Sequence, residues 1–139
     1  MKKVLGIFVS VITVFALTGC GKGETVTCTL EDDDQLQTMT ATFENDKATK
    51  VVMESKQTVE SSLVDATYSI LQSVESMYEG EEGVKVSVSK GNDSVSMKIE
   101  MELTKLSDEM KEEFDLTSSS DTSKKSFIDS MTEEGFTCK

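Results

Sequence analysis

Between Val84 and Leu103 apolar and polar residues alternate almost without a break. Val84, Val86 and Val88 are interleaved with Lys85, Ser87 and Ser89; after Gly91-Asn92-Asp93, the residues Val95, Met97, Ile99, Met101 and Leu103 are interleaved with Ser96, Lys98, Glu100 and Glu102. A period of two sends successive side chains to opposite faces of an extended chain, so this stretch predicts a hairpin with one buried face and one wet face. Charge chooses its register. Looping out Gly91-Asn92 would oppose Lys85 and Lys98, whereas looping out Asn92-Asp93 opposes Lys85 and Glu100 and sets Val86 against Ile99, which cross-strand charge pairing favours.

The same period recurs earlier. Thr25 to Leu30 carries Val26, Cys28 and Leu30 on one face and threonines on the other, and Glu31-Asp32-Asp33-Asp34 forms an acidic turn. Gln37 to Glu44 is a second strand with Met39, Ala41 and Phe43 inward, and a third runs from about Ala48 to Gln57. A two-residue loop at Asn45-Asp46 would bring Lys50 opposite Ala41 on the core face. A three-residue loop, Asn45 to Lys47, sets Val51 opposite Ala41 and Met53 opposite Met39, and is expected because register follows the buried pattern.

Helical spacing appears in three places. Leu63, Ala66, Ile70, Leu71, Val74, Met77 and Tyr78 recur at three- and four-residue steps, behind a cap at Ser61 or Ser62 and ahead of Gly80. Ser107 caps a short helix to about Phe114, with Asp108 and Glu109 in its first turn. After a polar loop, Leu116 to Ser120, a last helix starts at Asp121 or Thr122, turns Phe127, Ile128 and Met131 inward, and ends at Gly135 before an extended piece with Phe136 and Cys138. The expected fold is α+β: an antiparallel sheet of about five strands with two or three helices packed on one face.

The N-terminus has a different character. Lys2 and Lys3 precede an apolar run from Val4 to Leu17, then Thr18, Gly19 and Cys20. A basic start, a short apolar run and small residues before a cut describe a secretory signal peptide. As a helix, Val4 to Leu17 would measure roughly 21 Å, short of a bilayer core of roughly 30 Å, which argues against a spanning segment. Leu17-Thr18-Gly19-Cys20 resembles the bacterial lipobox. That resemblance implies cleavage after Gly19 and a diacylglyceryl lipid, with palmitate-type chains, on the Cys20 sulfur. Two acyl chains satisfy the two-signal requirement for stable anchoring. The expected organisation is a signal peptide over 1–19, a lipidated tether over 20–24 and one domain over 25–139, on the extracytoplasmic face of the cell membrane.

Loss of the first 19 residues would leave 120, enough for a single domain. It would also take the formal charge from −12 to −14. Such a charge argues against nucleic acid and against attraction to anionic lipid, and is first of all a well-solvated surface. Histidine, tryptophan, proline and arginine are absent. Without histidine, Ser-His-Asp and Cys-His catalysis are excluded and the commonest transition-metal ligand is missing. Without arginine there is no bidentate clamp for phosphate or carboxylate.

With Cys20 lipidated, Cys28 and Cys138 remain. An even pair in an exported domain reads as a disulfide joining the first strand to the last residues; two buried free thiols are the alternative.

Other clusters weigh toward ordinary roles. Glu31 to Asp34, with Glu79, Glu81 and Glu82, offers oxygen ligands of the kind calcium takes, but lacks EF-hand spacing and reads as a solvated turn. Ser87 and Lys90 match a Ser-x-x-Lys spacing, yet on a strand that offset separates them onto opposite faces. Met39, Met53, Met97 and Met101 could form an adaptable binding surface or ligate copper(I), and read as core filling because each lies in its strand's apolar register. Glu100 and Glu102 share a wet face with neighbouring lysines, unlike a glycosidase pair across a cleft. No catalytic residue, metal site or cofactor is expected.

The whole arrangement resembles the YehR-like family of small bacterial lipoproteins, whose domain is of unknown function. The likeness rests on the lipobox, on Thr25-Val26-Thr27-Cys28-Thr29-Leu30, on a threonine-rich hairpin from Thr40-Ala41-Thr42-Phe43 through Thr49-Lys50-Val51-Val52, and on a short helix running into Gly135-Phe136. It implies an α+β fold and a membrane-anchored location and brings no catalytic residues. The expected role is a non-catalytic envelope interaction module with a protein partner; a lipoprotein holding a small ligand or a divalent metal ion between sheet and helices is the alternative.

Overall fold

The structure, a computed structural model, describes residues 23–114, 116 and 122–139. It is an α+β fold made mostly of strand. Strand β1 (Gly23–Asp32), β2 (Gln35–Glu44) and β3 (Lys47–Thr58) form a meander. Helix α1 (Val64–Met77) leads to the hairpin β4 (Val84–Lys90) and β5 (Ser94–Glu102). Helix α2 (Asp108–Glu113), helix α3 (Lys124–Glu133) and β6 (Thr137–Cys138) complete the chain. All neighbours in the sheet are antiparallel, in the order β4-β5-β3-β2-β1-β6. The sheet thus has six strands where about five are expected, the sixth being the two-residue closing strand. Strand β1 begins at Gly23, inside the stretch expected as tether, with Gly23 and Glu24 opposite Glu44 and Phe43.

Both hairpin registers follow the buried pattern. Lys85 faces Glu100 and Val86 faces Ile99. Met39 faces Met53 and Ala41 faces Val51. The loop of the β2–β3 hairpin differs from the expected three residues. Asn45 and Asp46 alone make the turn, both with positive φ (50° and 64°), the backbone that a two-residue hairpin turn with the right twist demands and that Asn and Asp tolerate. The odd residue is absorbed by a bulge: the register shifts between Thr42 and Phe43, so that Lys50 faces Thr42 but Ala48 faces Phe43, leaving Thr49 unpaired between them. The freed Thr49 carbonyl accepts the amide of Leu103 at 2.9 Å. One bulge therefore reconciles a tight turn with an inward Val51.

Most inward residues of the strands form one cluster, from which the buried Val95 stands apart. Val26, Cys28, Ala41, Phe43, Val51 and Met101 are buried in it, joined by Val84 and Val86 from β4, by Leu106 and Met110 around α2, and by Met131 and Phe136 from the C-terminal segment. Ser107 caps α2, its hydroxyl accepting from the Met110 amide at 3.2 Å. The cap of α3 is Ser123, which accepts from the Ser126 amide at 3.2 Å; of the expected starts, Thr122 lies two residues before the helix and Asp121 lies outside the described residues. Helix α1 starts from Leu63 with no side-chain cap, contrary to the expected Ser61 or Ser62. The other sheet face presents Thr25, Thr27, Thr29, Thr38, Thr40 and Thr42 on β1 and β2, and ion pairs on β3 and β5: Lys50 with Glu100 at 3.3 Å and Lys98 with Glu54 at 3.6 Å.

Helix α1 departs from the expected stripe. Val64 is buried and Tyr68, Leu71, Val74 and Tyr78 are half-buried, but Leu63, Ile70 and Met77 are 52%, 67% and 73% exposed. Apolar residues cover a wider arc of this helix than the sheet can reach, and one flank stays open.

Candidate functional site

The open flank of α1 has a defined direction. The helix connects β3 to β4, which run the same way because β5 lies antiparallel between them. Such a crossover is right-handed almost without exception, and it lays α1 over β5 and β4. An ion pair gives the same orientation independently. Asp65 lies on one side of the buried stripe, and its carboxylate accepts from Lys90 Nζ of the edge strand β4. Lys90 also stands 5.0 Å from the centre of the Tyr68 ring. At about 100° per residue, Leu63, Ile70 and Met77 fall on the opposite side of that stripe. They face away from the β4 edge, across the middle of the sheet.

Among the described residues no helix seals the stretch of the sheet that carries Met39, Met53 and Met97. Helix α1 packs on β4 and β5, while α3 packs on β1 and β6. Between them lies a shallow apolar groove of about 200 Å³, floored by Met39, Met53, Met97 and Ile99 and walled by Phe136. Met39, Met53 and Met97 are only partly buried, unlike Met101 at 4%. Three of the four methionines expected as core filling thus floor an open groove, because the helices that would cover them diverge.

One end of this groove is closed and the other is open. At the closed end Tyr78 stacks on Phe114 with ring centres 6.1 Å apart, and its hydroxyl donates to the Glu113 carboxylate at 2.7 Å. That hydrogen bond, helped by burial and the carboxylate charge, holds the Tyr78 phenol above its usual pKa. At the open end the acidic β1–β2 turn and the β4–β5 turn converge on the linker after β3: the Thr58 amide donates to the Asp34 carbonyl at 2.8 Å and the Val59 amide to the Asp93 carbonyl at 2.9 Å. Gln37 and Ser55, paired on the third rung below the acidic turn, line the groove. A wider cleft of about 1060 Å³ near Lys47, Leu103 and Lys111 is rimmed by Leu116 and Thr122.

Cys28 and Cys138 are joined across β1 and β6, S–S 1.99 Å, with Cys28 fully buried. Leu17, Thr18, Gly19 and Cys20 lie outside the described residues. Ser87 faces Lys98 on the wet side of β4, while Lys90 is held by Asp65, so the two form no pair. Glu100 is paired with Lys50, and Glu102 with Lys105 at 2.7 Å, an interaction that lowers the Glu102 pKa and raises that of Lys105. Among the described residues no three carboxylates or thiols gather as a metal site, and no helix is long and apolar enough to cross a membrane.

Fold and groove together define a six-stranded antiparallel sheet carrying a crossover helix and a disulfide-closed C-terminus. No protein-family model matches the chain, and no curated protein matches it. Two solved structures share the fold. One is the NMR structure of Escherichia coli YehR, with a TM-score of 0.69, 12% identity, and 86% of this chain and 93% of that one covered. The other is the NMR structure of a protein from Streptococcus pneumoniae TIGR4, with a TM-score of 0.63, 17% identity and 87% of each chain covered. At these identities the likeness is one of fold, and it is the fold that the YehR-like resemblance of the sequence implies.

Proposed function

We propose that the chain is a lipid-anchored, non-catalytic interaction module on the extracytoplasmic face of a bacterial cell membrane. In this reading Cys20 carries a diacylglyceryl group, the domain needs no cofactor, and all three helices pack on one face of the sheet. The observation that carries the interaction role is the groove over Met39, Met53 and Met97, together with Leu63, Ile70 and Met77, exposed on the flank of α1 turned toward the middle of the sheet. Open apolar surface of this kind marks a place where something docks. Pockets for whole small molecules run to about 300 Å³ or more, so a groove of about 200 Å³ suits a few side chains of a partner better than an enclosed ligand.

Two experiments test this reading. Cys20→Ser should move the protein from the membrane pellet to the soluble fraction; pelleting that survives a high-salt wash refutes lipid anchoring. A photoreactive residue in place of Ile70, in intact cells, should give one discrete adduct that the same residue in place of the outward Ser73 does not give. Identical patterns from both positions refute the groove as a docking site.

A further inference from the structure

We propose that the occupant of the groove is a cationic amphipathic segment of a partner protein, its apolar side chains over the methionine floor and its lysines or arginines against the acidic open end. The assignment rests on the docking role argued above and adds the chemistry of the partner.

Charge complementarity selects that chemistry. The open end gathers Glu31, Asp32, Asp33, Asp34, Glu60 and Asp93, on two turns and a linker tied together by the Thr58–Asp34 and Val59–Asp93 hydrogen bonds. Glu133 and Glu134 close α3 at the same end, where Gly135 approaches the Leu30 side chain. Among the described residues, two lysines lie near. Lys90 is engaged by Asp65, and Lys56 stands opposite Leu36 on the other face of the sheet. The end is therefore strongly negative, and the nearby lysines do not neutralise it. Facing potentials of opposite sign steer encounter and exclude partners of like charge.

The groove supplies the apolar half of the recognition. Methionine is unbranched and polarisable, so a floor of Met39, Met53 and Met97 can adjust to different side chains, as surfaces that receive amphipathic segments do. Phe136 walls the groove, and Leu63 and Ile70, exposed on the flank of α1 turned toward the middle of the sheet, extend the apolar surface on offer to residues recurring at three- and four-residue steps. Anionic lipid is disfavoured by the same carboxylates. The orientation also fits a membrane-tethered chain: β1 starts at Gly23 and reaches the acidic turn nine residues later, so the open end lies roughly 30 Å from Gly23.

The test uses the full chain in a nonionic detergent and two fluorescent peptides of identical apolar pattern, one built of leucine and lysine, the other of leucine and glutamate. The leucine–lysine peptide should bind saturably by anisotropy, weaken as salt rises, and lose about tenfold in affinity both with Ile70→Ser and with Asp32→Asn, Asp33→Asn and Asp34→Asn combined. The glutamate peptide should show no saturable binding. Ile70 is exposed, so its replacement leaves the fold intact, and an unchanged circular dichroism spectrum checks this. Equal binding of both peptides overturns the assignment, as does affinity indifferent to Ile70→Ser or to the asparagine substitutions. Self-association that excludes the lysine peptide overturns it in favour of a second copy. A discrete adduct at position 70 in cells without preference for the lysine peptide preserves the docking role and overturns its occupant.

Discussion

Cys28 and Cys138 face each other directly across the last pair of strands, with Cα atoms 4.0 Å apart. Beside them Thr27 and Lys139 exchange both backbone hydrogen bonds, at 3.0 and 2.8 Å. The cysteines therefore occupy the non-hydrogen-bonded rung, where the two chains come closest.

This bond closes a loop spanning 110 positions. In the chain-entropy model a loop of that size is worth about 4–5 kcal/mol. Cys138→Ala is expected to lower the unfolding free energy by up to that amount, measured by urea denaturation. A variant as stable as the wild type in the absence of reductant would show that the bond contributes nothing to folding.

Gly83 is expected to tolerate no side chain. Its φ is +84°, and a Cβ there would stand 3.0 Å from the Leu106 amide nitrogen and from the Lys105 carbonyl carbon. Backbone atoms cannot step aside as a side chain can. Gly83→Ala should cost about 1–3 kcal/mol, read from the denaturation midpoint. Gly80, also at positive φ but with open space around it, should be less sensitive to crowding.

The methionines should separate into two groups. Met101 is sealed in the core, and Met101→Ala should cost about 2–5 kcal/mol. Met97→Ala and Met53→Ala, at the floor of the open groove, should cost clearly less, because water can fill what they leave. Equal losses at all three positions would mean that the groove is closed in solution.

Tyr78 should report on the closed end of the groove. Its phenol is held above the usual value of about 10 by Glu113. A raised value means that the folded state holds this proton more tightly than the unfolded one. The contribution is present below the unfolded value and lost as pH rises through the folded value. Glu113→Gln should move the Tyr78 titration down, followed by ultraviolet absorbance with Tyr78→Phe to assign the step. An unmoved titration would show that the hydrogen bond is absent in solution.

Much of the sheet was legible from alternation alone. Lys85 opposite Glu100, and Met39 opposite Met53, follow from asking which register keeps apolar residues on one side and unlike charges together. The β2–β3 turn was not legible in the same way. Alternation counts residues along a strand and cannot say whether an odd residue sits in the loop or in a bulge; the positive φ of Asn45 and Asp46 decides for the bulge at Thr49.

The sequence by itself determined the strands, the helices, the two principal hairpin registers and the pairing partners available to Cys28. Each of these depends on a local period or on a small inventory of residues. The tertiary structure alone decided which part of the apolar arc of α1 meets the sheet and which stays in water. Leu63, Ile70 and Met77 share their hydrophobicity with Leu71 and Val74, so no pattern along the helix separates them. What separates them is the right-handed crossover that seats α1 over β4 and β5, and the disulfide-tied C-terminal segment that holds α3 over β1 and β6. Helices seated on opposite margins of a sheet leave the central stretch over Met39, Met53 and Met97 open, and that geometry creates the groove.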